Sequence, residues 1–138
     1  MAEARLARDG FAILRYAHCA RPFPLAATRA AADAIRFSPE NESIRQCATR
    51  LIVAAQRRWD GAPMWWMNDI DGLPTERQID IGSRIIDGAD ADTVATELHL
   101  SKRTVENHLY RFMRSVGVNS TEDLRDVMAE VEYTHHRA

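Results

Sequence analysis

Between Ser101 and Gly117 two sets of side chains repeat with a helical period, and no other feature constrains the fold of this chain as tightly. Val105, Leu109, Phe112 and Val116 recur at i, i+4, i+7 and i+11, the spacing of one buried helical stripe. Arg103, Asn107, Tyr110 and Arg114 repeat that spacing on the opposite side. A single helix is therefore expected to pack one face on a core and to leave a polar, aromatic-bearing face in water.

The flanking sequence carries start and stop signals at each join. Thr75 followed three residues on by Gln78 has the form of a capping box, and Gly88 supplies a left-handed stop. Asp90 or Asp92 can cap a second helix with Val94, Ala95 and Leu98 on its apolar side. His99 and Leu100 make a tight turn, Ser101 caps the striped helix and Gly117 ends it. Asn119 or Ser120 then opens a last helix with Leu124, Val127, Met128 and Val131 on one face. Four helices in about 60 residues, the second and third joined by a tight turn, read as a helix-turn-helix. At about 1.5 Å per residue the exposed stripe runs roughly 16 Å, enough to follow base edges in one major groove.

The first sixty residues read as three helices. One holds Leu6, Gly10, Ile13, Leu14 and Ala17 and stops near Arg21-Pro22-Phe23-Pro24; an alanine-rich one runs from about Leu25 to Phe37. In the third, Ile44, Cys47, Ala48, Leu51, Ile52, Ala55 and Trp59 share a face, Ser38 can cap and Pro39 suits the first helical position. Strands have almost no support. Gly61, Pro63, Asn68, Asp69, Asp71, Gly72 and Pro74 then break the pattern. This break is not a polar spacer, because Met64, Trp65, Trp66 and Met67 carry apolar area that favours docking on a neighbouring helix or on a partner. The expected organisation is all-α: a small helical bundle over residues 1–60, an aromatic linker over 61–72 and a four-helix unit over 73–138.

Composition sets the outer bounds. With 46% hydrophobic and 28% charged residues in 138, the chain has the balance of a soluble globular protein. No run approaches the roughly 18 to 20 apolar residues of a membrane span, and no signal peptide is evident, so no membrane is involved and a cytoplasmic location is expected. Cys19 and Cys47 lie in helical, alanine-rich sequence and are expected as small core residues rather than a disulfide. His18 beside Cys19 is a faint metal signal without a second ligand pair, and His135 and His136 read as a solvated end; no metal and no cofactor are expected. Nor does any nucleophile-base pair, paired carboxylate or metal cluster suggest an enzyme.

Charge is unevenly spread. Residues 73–138 hold eight Lys/Arg against twelve Asp/Glu, whereas residues 1–72 hold ten against eight. A nucleic-acid binder is ordinarily basic, since phosphate contacts supply much of the affinity. From Ser101 to Arg114, however, Lys102, Arg103, Arg111 and Arg114 face Glu106 alone, which focuses positive charge on one helix.

These residues resemble the LuxR-type (FixJ/NarL-type) helix-turn-helix of bacterial transcription regulators. The resemblance rests on Thr75-Glu76-Arg77-Gln78, on Gly88, and on Val94-Ala95 with Leu98 and Leu100. It continues through Ser101-Lys102-Arg103-Thr104-Val105-Glu106-Asn107-His108-Leu109 and ends on Gly117-Val118 with Ser120 and Leu124. It spans roughly residues 73 to 131. It implies that the helix from Ser101 enters the major groove, with the preceding helix bracing it across the backbone. By position Glu106, Asn107 and Tyr110 would face base edges, with Arg103 on the same stripe able to read guanine. Ser101, Lys102, Thr104, Arg111 and Arg114 would face phosphates. The family pairs through its last helix, which here implies a homodimer through Leu124, Val127, Met128 and Val131, with packing of that face on the chain's own core as the alternative. Double-stranded DNA is the implied partner and RNA polymerase a further one.

Departures from the family pattern point to weak or conditional binding. Ser115 stands where a lysine is usual, and Gly82 and Arg84 replace apolar residues of the first helix, the glycine at a cost of about 1 kcal/mol relative to Ala. Asp92 replaces a residue that is usually polar or basic. Glu106 has a bland alternative, an ion pair with Lys102 or Arg103, and His108 reads as a packed, hydrogen-bonded histidine. The alanine-rich first half is similar in composition to the helical repeats that precede this unit in large ATP-dependent LuxR regulators, which would make the chain the C-terminal part of one. It contains no phosphate-binding glycine loop. The expected function is sequence-specific binding of double-stranded DNA to regulate bacterial transcription. Two rivals remain: a promoter reader like sigma-factor region 4, and an interaction module that keeps the fold without binding DNA.

Overall fold

The computed structural model describes residues 9–20, 24–58 and 67–133, and among these it contains seven helices and no strand. Leu6, Trp59, Met64, Trp65, Trp66, His135 and His136 lie outside the described residues. The chain divides into two compact units, Met1–Gly72 with Val131–Ala138, and Leu73–Glu130. The all-α class read from the sequence is the one observed.

In the first unit, α1 (Gly10–Cys19), α2 (Pro24–Phe37) and α3 (Glu42–Arg58) pack on one another. Asp9 caps α1, its carboxylate accepting from the Phe11 and Ala12 N–H groups at 3.0 and 3.2 Å. Ala27, Ala30, Ala31, Ala32 and Ala34 are all buried along α2, where methyl side chains let neighbouring backbones approach closely. Helix α3 departs from the expected single apolar face. Its five consecutive residues Leu51, Ile52, Val53, Ala54 and Ala55 are all buried, so the helix is covered all round at this level.

Two further expectations are corrected here. Helix α3 begins at Glu42, and its cap is Asn41, whose side chain accepts from the Ile44 N–H at 3.1 Å. Ser38 and Pro39 instead open a turn closed by the Asn41 N–H on the Ser38 carbonyl. Cys19 is exposed at the end of α1 and Cys47 half-buried on α3; both are free thiols, and Cys19 is no core residue. The position falls on the solvent side of α1, which buries Ile13, Leu14 and Ala17.

Residues 67–72 are held against this unit. Met67 is buried, Arg36 grips the Asp69 carboxylate with Nε and Nη2 at 2.9 and 2.8 Å, and Arg45 donates from Nη2 to the Asp71 carbonyl. Through this two-point contact the guanidinium lowers the pKa of Asp69 and the carboxylate raises that of Arg36.

The second unit consists of α4 (Glu76–Ile86), α5 (Ala91–Leu98), α6 (Lys102–Val116) and the body of α7 (Thr121–Tyr133). Its core is Ile81, Ile85, Val94, Val105, Phe112, Val116, Leu124 and Met128, each almost wholly removed from water. Full burial of each large apolar side chain contributes about 1.5–3 kcal/mol. The Thr75–Gln78 capping box forms in both directions, at 3.2 and 3.0 Å. Gly88 and Gly117 take positive φ where α4 and α6 end. Asp90, not Asp92, caps α5 by accepting from the Thr93 N–H at 2.7 Å, and Ser120 accepts from the Asp123 N–H at the start of α7.

Gly82 and Arg84 each have a structural reason. Gly82 is buried, and a Cβ added there would stand 2.5 Å from the Phe112 ring, so the missing side chain makes room for the aromatic. Arg84 reaches from α4 to Asp80 at 3.1 Å and to Glu97 on α5, tying two helices at the surface. Arg125 donates to the Ile85 carbonyl at 3.0 Å, which also accepts from the Gly88 N–H, and so ties α7 to the C-terminal end of α4.

Candidate nucleic-acid interface

Helix α6 is oriented by its buried face and clamped at its start. Val105, Leu109, Phe112 and Val116 are all buried in the core of the unit. The Ser101 hydroxyl accepts from the Thr104 N–H at 3.1 Å and shares a 2.8 Å hydrogen bond with the Thr104 hydroxyl. Before it, His99 adopts the left-handed conformation with φ 55°, and the Leu100 N–H donates to the Ala95 carbonyl at 2.9 Å. The turn between α5 and α6 is thus closed by backbone hydrogen bonding as well as by side-chain packing.

With the core face inward, Arg103, Glu106, Asn107, Tyr110, Arg111 and Arg114 are all exposed. At 3.6 residues per turn, Arg103, Asn107, Tyr110 and Arg114 fall within about 60° of one another around the axis. Tyr110 is 61% exposed, the most of any large apolar side chain among the described residues. Among those residues none of the six makes a side-chain hydrogen bond or ion pair. A row of donors, acceptors and one aromatic ring is therefore presented to solvent without internal partners.

The remaining expected contacts are placed differently. Ser101 is exposed but its hydroxyl is engaged in the cap, and Thr104 is half-buried with its hydroxyl turned to Ser101. Lys102 is exposed, with Nζ 3.5 Å from the Asp92 carboxylate on α5. The pairing of Glu106 with Lys102 or Arg103 does not occur. His108 is half-buried, and among the described residues it makes no side-chain hydrogen bond, contrary to the bonded histidine expected. Ser115 turns back on its own helix, its hydroxyl donating to the Phe112 carbonyl at 2.7 Å.

Along α7, Leu124 and Met128 are fully buried and Val131 nearly so, while Val127 is half-exposed. The alternative kept open from sequence, packing on the chain's own core, describes the buried three. The acids around the interface are also informative. The Asp90 carboxyl is held below its usual range by the Thr93 hydrogen bond and, to a smaller degree, by the nearby Lys102 charge. Arg84 is held more firmly protonated by Asp80 and Glu97.

Sequence reasoning missed Asp92 as the partner of Lys102 and Arg125 as an anchor of α4. Both contacts join residues on different helices, so no periodic signal marks them. The cap at Asp90 is signalled by the three-residue step to Thr93.

Residues 74–128 match the luxR family of bacterial regulatory proteins. The match covers α4, α5, α6 and the first part of α7, the elements that build and orient the exposed row. No curated protein and no solved structure matches the chain. The luxR-type unit is a non-catalytic, DNA-binding regulatory helix-turn-helix, and a DNA-binding regulatory role follows for this region in general terms. Among the described residues no three His, Cys, Asp or Glu side chains cluster as metal ligands would, and no helix is long and apolar enough to cross a membrane.

Proposed function

We propose that this protein binds double-stranded DNA sequence-specifically by placing α6 in the major groove, and so regulates bacterial transcription. One observation carries the reading: six exposed polar or aromatic residues of α6 have no internal partner among the described residues, in a region that matches a DNA-binding family. Desolvating polar groups is costly unless they find partners, and base edges and phosphates supply complementary ones. Asn107 can bond adenine with both amide atoms, Arg103 can do the same to guanine, and Glu106 can accept from cytosine N4. Tyr110 offers its ring and its hydroxyl. Arg111 and Arg114 are the phosphate contacts, with Ser101 and Thr104 at the start of the helix as further ones. Homodimerisation through α7 would use Val127 and the exposed residues beside it, because Leu124 and Met128 have no surface left to offer.

Selection from a random-duplex pool at low and physiological salt tests this reading. An enriched motif that vanishes in Asn107→Ala is the expected result. Absence of enrichment at both salt concentrations would overturn it in favour of an interaction module, the rival that the twelve acids of residues 73–138 support.

A further inference from the structure

The start of α6 carries a positive charge that is already engaged. Lys102 Nζ lies 3.5 Å from Asp92, and the pair is well exposed, so solvent and salt reach it freely. Asp90, the cap of α5, stands at the same N-terminal end of that helix as Asp92. Two carboxylates thus stand at the start of α5, and one of them, Asp92, reaches the ammonium at the start of α6. By contrast Arg111 and Arg114, one and nearly two turns further along than Asn107, have no partner among the described residues.

An approaching phosphate meets these two ends differently. At Arg111 and Arg114 it gains an unopposed cation. At Lys102 it must compete with Asp92 and then lie beside that carboxylate, so the attraction of the lysine is offset by a like-charge repulsion. A helix N-terminus ordinarily attracts anions, but the first turn of α5 already carries the Asp90 cap and the Asp92 carboxylate.

Resting on the DNA-binding reading above, we infer that Asp92 is a specificity-determining residue: it opposes the charge of Lys102 and suppresses sequence-independent phosphate binding at the start of α6. Indiscriminate affinity is kept low, so that the base-facing row of α6 decides which duplexes are held. Lys102 is then a muted cation in the intact protein and becomes a full phosphate contact only when Asp92 is removed.

The test is a double-mutant cycle on the full chain with Asp92→Asn, Lys102→Ala and the pair combined. Each variant is titrated by fluorescence anisotropy against a random-sequence duplex and a selected duplex across a salt series, with circular dichroism as the folding control. Asp92→Asn is expected to tighten binding to both duplexes several-fold and to steepen the dependence of log affinity on log salt by about one unit. Lys102→Ala should weaken binding less in the wild-type background than in the Asp92→Asn background, where it cancels the gain. Equal effects of Lys102→Ala in the two backgrounds, or no gain from Asp92→Asn while the wild type binds the selected duplex, would overturn the inference. If neither wild type nor variant binds any duplex at any salt, the DNA-binding reading itself fails and the inference falls with it.

Discussion

The ring of Phe112 lies over Gly82, so close that a Cβ built on the glycine would stand 2.5 Å from both Cδ1 and Cε1 of the aromatic. Helices α4 and α6 owe their close approach to this pair. Read alone, a glycine inside α4 looks like a loss of about 1 kcal/mol. With Phe112 fully buried against it, the position is instead one that a side chain would disrupt.

Gly82→Ala should therefore destabilise the protein by about 1–3 kcal/mol, although alanine is the better helix former. Urea unfolding measures the effect. Phe112→Leu is expected to cost stability on its own but to reduce the penalty of Gly82→Ala, because the two residues share one contact. Purely additive changes would argue against the packing account.

Removing the Thr75 hydroxyl takes the acceptor away from the Gln78 N–H, one half of the capping box at the start of α4, whose other half runs from the Thr75 N–H to the Gln78 side chain. Thr75→Ala should lose about 1 kcal/mol, whereas Thr75→Ser, which keeps the acceptor, should lose much less. Thermal unfolding of the two variants side by side gives the comparison.

On the interface, Asn107→Ala and Tyr110→Ala should each remove roughly 1–3 kcal/mol of discrimination at one base position. Arg114→Ala should weaken every duplex alike and flatten the salt dependence by about one unit. Competition binding with single-position variants of a selected duplex separates these effects. A uniform loss in Asn107→Ala would place that residue on the backbone instead.

Acid should destabilise the second unit through Asp90. Its carboxyl is held below the ordinary value of 3.8, first by the Thr93 backbone N–H, so the folded state binds the proton less readily than the unfolded chain. The resulting stabilisation is fully present above the unfolded value and is lost as pH falls through the folded one. Asp69, held down by Arg36, has the same sign in the first unit. Asp90→Asn keeps a capping acceptor without the charge. Its unfolding midpoint should therefore fall less steeply below about pH 4 than that of the wild type.

The second unit was largely readable because its signals are local. The step from Thr75 to Gln78, the stops at Gly88 and Gly117 and the cap at Ser101 each need only a few neighbouring residues, and each is found where expected. That Arg103, Asn107, Tyr110 and Arg114 share one face followed from helical period, and these residues are exposed. What stayed hidden depends on distant partners. Gly82 makes sense only with Phe112, thirty residues away, and Lys102 only with Asp92 across a turn. In the first unit, Ser38-Pro39 has the composition of a helix start, but the nearer acceptor at Asn41 takes the cap. Cys19 shows that a single small apolar residue at the last position of a helix does not declare its face.

His99 and Leu100 are the only residues between the last turn of α5 and the cap at Ser101, and one of them occupies a left-handed conformation. So short a joint sets the rotational phase of α6. With the joint kept tight, one added residue would turn the helix by about 100°, which swings the row of Arg103, Asn107, Tyr110 and Arg114 to the flank and draws the core stripe out of register. The face that α6 turns to solvent is thus governed by chain length at two positions outside the helix, and the joint should tolerate substitution far better than insertion.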